Sequence, residues 1–141
     1  MSRREDAETG RSSPRTSPGR AVSLSPRRFL ALWLPVVVWA AFIFRLSGIP
    51  YLRITQAWWD IIARKCAHVF VFAVLARLIA RAVTGSTFWP WKRIFTVSLV
   101  LTFLYACSDE YHQTFVPGRV GCLHDVLIDT ASGWVALGLV P

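Results

Sequence analysis

The sequence predicts an all-α, polytopic membrane protein in which four transmembrane helices form a small bundle. Three observations support this class. Of the 141 residues, 54% are hydrophobic and seven are Trp, which is more apolar surface than a soluble domain of this length can bury. The apolar residues fall into four long runs separated by Gly, Pro and aromatic residues, as expected of helices that cross a bilayer. The chain has a net charge of +8, and seven of its arginines precede the first apolar run.

The first 28 residues are rich in Arg, Ser, Pro and Gly and contain almost no large apolar side chains. We therefore expect residues 1–28 to be a disordered basic tail. A basic segment before an apolar run can also be a signal peptide. Here no convincing small-residue cleavage site follows, so the first run is interpreted as a retained span. The charge suits a cytoplasmic flank near anionic lipid, and because no nucleic-acid-binding motif accompanies it, no nucleic-acid partner is expected.

Residues 29–141 are expected to form the membrane domain. The predicted spans are approximately residues 29–46, 61–83, 94–116 and 123–140. Pro35 interrupts the first span, which neighbouring helices can accommodate. Residues 51–60 include two Trp and are expected to lie at the membrane interface, and a second aromatic group precedes the third span.

The third span has a short apolar part. Residues 94–107 would extend only about 21 Å as a helix, whereas the hydrocarbon core is about 30 Å thick. Continuing the helix to Val116, just before Pro117, gives a full span. The extended helix would carry four polar side chains at its end: Asp109, Glu110, His112 and Gln113.

The distribution of Lys and Arg predicts the orientation. Besides the tail, the loop between the second and third spans is flanked by Arg77, Arg81, Lys92 and Arg93. The opposite side has Arg45, Arg53, Arg64, Lys65 and Arg119. The positive-inside rule therefore predicts a multi-pass protein of the cytoplasmic (inner) membrane with both termini in the cytoplasm.

This orientation brings polar groups from three segments to one non-cytoplasmic depth. The predicted ligand-binding residues are Lys65, His68, Asp109, Glu110, Gln113, Arg119, Asp125 and Asp129. Helical spacing places Lys65 beside His68, and Asp125 beside Asp129 one turn deeper. Ionisable groups at membrane depth are costly and usually mark a function, so we expect one polar chamber here.

The expected chamber suits recognition of a polar or phosphorylated headgroup. Arg119 offers a planar fork, and Lys65 a point charge, to phosphate or carboxylate. Two alternatives remain open. The chain could be an intramembrane enzyme acting on a lipid-linked phosphate or ester, with Asp109, Glu110 and His68 as candidate catalytic residues. It could also be a non-catalytic scaffold or partner subunit in which the polar network only holds the helices together.

Metals and disulfides receive little support from the sequence. Three histidines and several carboxylates share the predicted outer side, yet His-Glu-x-x-His and Cys-x-x-Cys are both absent, so neither a metal nor a cofactor is expected. An oxidising exterior would permit a bridge between Cys107 and Cys122. The odd number of cysteines and their apolar neighbours favour buried free thiols instead.

The arrangement of these residues resembles the VanZ-like family. The resemblance covers about Leu30 to Leu139 and leaves the basic tail outside. It is carried by Phe44-Arg45-Leu46-Ser47-Gly48-Ile49-Pro50, Lys65-x-x-His68, Asp109-Glu110-x-x-Gln113-x-Phe115-x-Pro117-Gly118-Arg119, and Asp125-Val126-x-x-Asp129 with Gly133.

The resemblance implies a small bacterial membrane protein of the cell envelope. The family's founding member is linked to resistance to teicoplanin, an antibiotic that attacks cell-wall precursors outside the membrane. The implied partners are membrane lipids and a cell-envelope precursor or polar lipid headgroup. Two features depart from the family pattern: Asp129 stands where many members carry Asn, and Cys122 and His124 stand where small polar residues are expected.

Overall fold

The computed structural model describes residues 25–50 and 58–139, and these residues form four helices connected by short segments. The helices are α1 (Pro26–Ser47), α2 (Trp58–Ser86), α3 (Trp91–Gln113) and α4 (Leu123–Gly138). The described part of the chain contains no strand, so the predicted all-α class is confirmed.

Three helices are long and apolar enough to cross a membrane. They are Pro26–Ser47, Ile62–Ser86 and Trp91–Gln113. These segments make the chain a membrane protein. α4 has 16 residues and would extend about 24 Å, which is shorter than a hydrocarbon core of about 30 Å.

Helix α1 begins earlier than the predicted span because Ser25 caps it. The Ser25 side chain accepts a hydrogen bond from the backbone N–H of Arg28 at 3.4 Å, and Pro26 occupies the first helical position, where its missing N–H costs nothing. Pro26, Arg27 and Arg28, expected in the disordered tail, therefore form the first turn. The rest of that predicted tail, residues 1–24, lies outside the described residues.

Helix α2 begins at Trp58, within the stretch expected at the membrane interface. The remainder of that stretch, residues 51–57, lies outside the described residues.

Helix α3 ends at Gln113 rather than at Val116. Val116 precedes a proline, and the residue before proline is disfavoured in helical conformation. The chain instead tightens: Phe115 and Val116 donate their N–H groups to the carbonyls of His112 and Gln113, three residues back. The helix still includes Asp109 and Glu110, as the sequence predicted.

Helix α2 occupies the centre of the bundle and packs against the other three helices. Its Phe72, Leu75 and Ala76 are almost fully buried. Opposite Ala76, a Cβ added to Gly133 of α4 would lie 3.2 Å from both the Ala76 Cβ and the Thr102 Cγ2 of α3. The absence of a side chain at Gly133 therefore sets the close approach of α2, α3 and α4.

Helix α1 packs on α2 and α3 and, within the described residues, does not pack on α4. Two aromatic side chains attach it by hydrogen bonds to backbone carbonyls. The indole Nε1 of Trp39 donates to Val71 O at 2.9 Å, and the Tyr105 hydroxyl donates to Ala40 O at 2.6 Å.

Polar residues of all four helices meet at one end of the bundle. Ser47 at the C-terminal end of α1 contacts the C-terminal part of α3, and the first half of α2 contacts the first turns of α4. The segment between α3 and α4 closes the same end.

Candidate functional site

A cavity of about 280 Å³ opens at the polar end of the bundle. Its walls come from α2, α3, α4 and the segment that connects α3 to α4. The lining residues are Arg64, Lys65, His68, Glu110, Gln113, Gly118, Arg119, Val120, Asp125, Ile128 and Asp129. We refer to it as the polar cavity.

Two ionisable pairs join α2 to α4 along one wall. Lys65 forms an ion pair with Asp125, and both side chains are partly exposed. One helical turn deeper, His68 Nδ1 lies 3.4 Å from Oδ2 of Asp129, whose side chain is only 2% exposed. Lys65 and His68, at i and i+3, share one face of α2, and Asp125 and Asp129, at i and i+4, share one face of α4. The two pairs form because these faces pack against each other.

On α3, the Gln113 amide connects two carboxylates. Its Nε2 donates to Asp109 Oδ2 and to Glu110 Oε1, both at 3.1 Å. Asp109 Oδ2 also accepts from the hydroxyl of Ser47 on α1 at 2.8 Å. All four side chains are at most 6% exposed, so these hydrogen bonds satisfy polar groups that have little access to water.

Glu110 also holds the segment that leads into α4. Its Oε2 accepts a hydrogen bond from the backbone N–H of Cys122 at 2.7 Å. Gly121 permits this approach, because a Cβ at that position would lie 2.7 Å from the backbone oxygen of Glu110.

A turn at Pro117 and Gly118 delivers Arg119 to the cavity. Gly118 has a φ of 80°, a left-handed conformation that glycine adopts without steric cost. The guanidinium donates from Nη1 to Gln113 Oε1 at 3.2 Å, from Nη2 to Leu46 O at 3.1 Å and from Nε to Ile49 O at 3.4 Å. Arg119 thereby connects the end of α1 to the end of α3.

Burial lowers the pKa of the Arg119 guanidinium from its ordinary value, and the nearby charge of Arg64 acts in the same direction. An arginine nevertheless stays protonated in a protein. Arg119 is therefore a cation held in a partly desolvated position.

The structure places seven of the eight predicted ligand-binding residues on the wall of the polar cavity. The exception is Asp109, which lies behind Gln113, is 2% exposed and is not among the lining residues. Of the three candidate catalytic residues, His68 and Glu110 line the cavity.

His112 and His124 do not line the cavity. The His112 ring stacks on Phe44 of α1 with a centroid separation of 3.9 Å, and His124 is exposed. The three cysteines are free, as predicted, but Cys66 and Cys122 are exposed rather than buried in the isolated chain. Within the described residues, no three His, Cys, Asp or Glu side chains are grouped closely enough to hold a metal ion.

Two residues at or beside the cavity were not among the predicted ligand-binding residues. Arg64 lines the cavity one helical turn before His68, a spacing that would have placed it on the same face. Ser47, the donor to Asp109, belongs to the segment after α1 that carries part of the family resemblance. Its contact could not be recognised without knowing that α1 and α3 end side by side.

The fold and the cavity define an all-α integral membrane protein whose bundle holds a polar, charge-lined cavity at one end. The VanZ/LLP1 family model matches residues 3–141, and the chain belongs to this family. The match is wider than the resemblance read from the motifs, because it includes most of the basic tail. No curated protein and no solved structure matches the chain.

Proposed function

We propose that the polar cavity binds the headgroup of a polar or phosphorylated component of the bacterial cell envelope. The observation that carries the proposal is the environment of Arg119, which lines the cavity while its three hydrogen bonds all go to neutral oxygen atoms. Among the described residues, no carboxylate lies within ion-pair distance of it. Its charge is thus available to an anion.

The guanidinium also retains donors for a ligand. An arginine side chain has five N–H groups, and three are used here, which leaves two. A phosphate oxygen accepts such charge-assisted hydrogen bonds strongly.

The surroundings of the cavity favour an amphiphilic ligand over a small soluble anion. Large apolar side chains close to the lining residues are strongly exposed: Phe115 (68%), Val120 (86%), Leu123 (72%) and Leu127 (56%). A lipid would place its headgroup in the cavity and its acyl chain against these side chains.

In the proposed arrangement the protein lies in the inner membrane, α4 is a fourth, short span, and both termini are cytoplasmic. Arg81, Lys92 and Arg93 are exposed at the end of the bundle opposite the cavity. The positive-inside rule assigns that end to the cytoplasm. The cavity then faces the outer leaflet, where cell-wall precursors are exposed, and protection against teicoplanin would follow indirectly from altered presentation of a precursor.

Labelling of introduced cysteines tests this topology. In a background without native cysteines, Val120→Cys should react with a membrane-impermeant maleimide added to intact cells, and Lys92→Cys should react only after the cells are opened. Labelling of both positions from outside, or of neither, contradicts an outer cavity.

Lipid binding tests the function. The purified full chain should retain lysophosphatidylglycerol in native mass spectrometry, and Arg119→Gln should lower that retention by about tenfold, about 1.4 kcal/mol. Lys92→Gln removes an exposed charge at the opposite end and serves as the matched control. Because Arg119 also holds α1, Arg119→Lys is measured as a second variant, and its restored charge should recover part of the lipid binding. Equal lipid retention by the wild type, Arg119→Gln, Arg119→Lys and Lys92→Gln would contradict the proposal.

An intramembrane hydrolase is the second candidate, and the pair formed by His68 and Asp129 favours it. A buried carboxylate beside a histidine orients the ring and stabilises its protonated form. In this case His68→Gln should abolish turnover of a lipid-linked phosphate or ester while lipid retention persists. If single substitutions throughout the cavity change neither retention nor turnover, the scaffold alternative is favoured instead.

A further inference from the structure

Two charged side chains on the wall of the polar cavity are bonded only to neutral groups. Arg119 donates to the oxygens of Leu46, Ile49 and Gln113, and Glu110 accepts from the Cys122 backbone and the Gln113 amide. Within the described residues, neither side chain forms an ion pair with any other.

Four other lining side chains, on α2 and α4, form pairs with each other. Lys65 contacts Asp125, and His68 contacts Asp129, so each of these groups has an oppositely charged or chargeable partner. Arg64, the remaining charged lining residue, also has an interaction partner. Besides these groups, the cavity contains one cation, Arg119, and one anion, Glu110, that form no ion pair within the described residues.

The Gln113 amide holds that cation and that anion apart. Its Oε1 accepts from Arg119 at 3.2 Å, and its Nε2 donates to Glu110 at 3.1 Å. Reversing the amide would break both contacts, so its orientation is fixed, and Gln113 itself is 6% exposed. The separation between the two charges is thus a rigid feature of α3 and the turn that follows it.

A ligand that carried only negative charge would satisfy Arg119 but would bring its charge close to Glu110. A ligand with both signs would satisfy both residues. Glu110 can accept further hydrogen bonds, since each carboxylate oxygen has two lone pairs and each accepts one hydrogen bond here.

We propose that the cavity selects a zwitterionic headgroup, a phosphate ester that also carries a primary ammonium group. The phosphate oxygens accept N–H bonds from Arg119, and the ammonium donates N–H bonds to Glu110. This assignment rests on the proposed function, which it narrows from phosphorylated headgroups in general to one charge arrangement.

A series of ligands tests the assignment on the unmodified protein. The purified full chain is titrated with lysophosphatidylethanolamine, lysophosphatidylglycerol and lysophosphatidylcholine of one acyl chain, and with free O-phosphoethanolamine. The ethanolamine lipid should bind about tenfold more tightly than the glycerol lipid. The choline lipid should resemble the glycerol lipid, because its quaternary ammonium has no N–H to donate to Glu110.

Glu110→Gln provides the matched test on the protein. It removes the negative charge and retains the length of the side chain. Its one amide oxygen can accept from the Cys122 N–H, whereas the Gln113 Nε2 loses its acceptor at this residue. The ratio of ethanolamine-lipid to glycerol-lipid affinity should fall to about one, with binding of the glycerol lipid retained. This ratio does not depend on the fraction of folded protein. Lys92→Gln, which changes an exposed charge at the opposite end of the bundle, is the control and should leave the ratio at its wild-type value.

The outcomes separate this assignment from the proposed function. Equal or tighter binding of the glycerol lipid to the wild type, still sensitive to Arg119→Gln, overturns the zwitterion assignment and leaves headgroup binding standing. Absence of binding by all three lipids and by O-phosphoethanolamine overturns both. Binding of free O-phosphoethanolamine as tight as that of its lysolipid, with the same dependence on Glu110, supports the zwitterion and identifies a soluble phosphate ester as the source.

Discussion

The hydroxyl of Ser47 donates a 2.8 Å hydrogen bond to Oδ2 of Asp109, and both residues are buried. The bond connects the end of α1 to α3 beneath the wall of the polar cavity. The other oxygen of the carboxylate, Oδ1, is buried and has no hydrogen-bond partner among the described residues. The bond from Ser47 therefore supports a carboxylate that is incompletely satisfied.

Ser47→Ala should lower the free energy of unfolding by about 1–3 kcal/mol, because it leaves a buried acceptor with one fewer donor. Thermal unfolding of the detergent-solubilised protein measures the change. Ser108→Ala, at an exposed position of α3, is the control and should change stability little. In a double-mutant cycle with Asp109→Asn, we expect coupling of about 0.5–3 kcal/mol, and additive effects would show that the two groups do not interact.

Gln113→Glu should destabilise the protein more than Gln113→Met, although a carboxylate at this position would also lie beside Arg119. It replaces the amide donor by a third carboxylate beside Asp109 and Glu110, and like charges at this spacing repel. The amount of monodisperse protein and its unfolding temperature measure the effect. Gln113→Met removes the hydrogen bonds without adding charge, so a Met variant as unstable as the Glu variant would exclude charge repulsion as the cause.

Gly121→Ala should weaken the closure of the cavity. The added Cβ would lie 2.7 Å from the Glu110 backbone oxygen and from the Thr114 Cγ2, so the segment must move and the Cys122 N–H would leave Glu110. We expect a loss of about 1–3 kcal/mol. Gly138→Ala is the matched control, because nothing lies within 4 Å of its added Cβ and alanine is the better helix former. Equal losses of stability at Gly121 and Gly138 would contradict the steric explanation.

Lys65→Gln should reduce stability by less than about 1 kcal/mol, because the ion pair with Asp125 is partly exposed and such pairs contribute little. The unfolding temperature in low salt and in high salt measures the contribution. A large loss that salt does not diminish would mean that Lys65 supports the bundle in another way.

Expression in a teicoplanin-sensitive bacterium tests the role implied by the family. Wild type at matched membrane levels should raise the inhibitory concentration of teicoplanin more than that of vancomycin, and Arg119→Gln should abolish the difference while Lys92→Gln retains it. Equal protection by wild type and Arg119→Gln would separate resistance from the polar cavity.

The sequence predicted the helices because their apolar runs are long. Seven of the eight predicted ligand-binding residues line one cavity, because helical spacing and the alternating orientation of the helices determine which ends meet. The Thr114–Val116 turn was missed because the apolar character of Val116 outweighed the restriction imposed by Pro117. The carbonyl partners of Arg119 were also missed. Leu46 and Ile49 accept through their backbones, which their side chains do not reveal.

The position of Asp109 behind Gln113 illustrates another limit. Asp109 and Gln113 share a face of α3, but the spacing alone cannot decide which of them reaches the cavity. That outcome depends on how closely α1 approaches α3, and therefore on the contact with Ser47.

Within its apolar membrane-crossing stretch, only 11% of α1 is buried inside the protein, compared with 44% of the corresponding stretch of α2. The groups that hold α1 belong to segments that follow it in the chain, among them Val71, Tyr105, Asp109 and Arg119. During synthesis α1 therefore acquires its hydrogen-bond partners only as α2, α3 and the segment after α3 are added to the chain. The polar end of the protein acquires its final shape only when translation has passed Asp129, the last residue that lines the cavity.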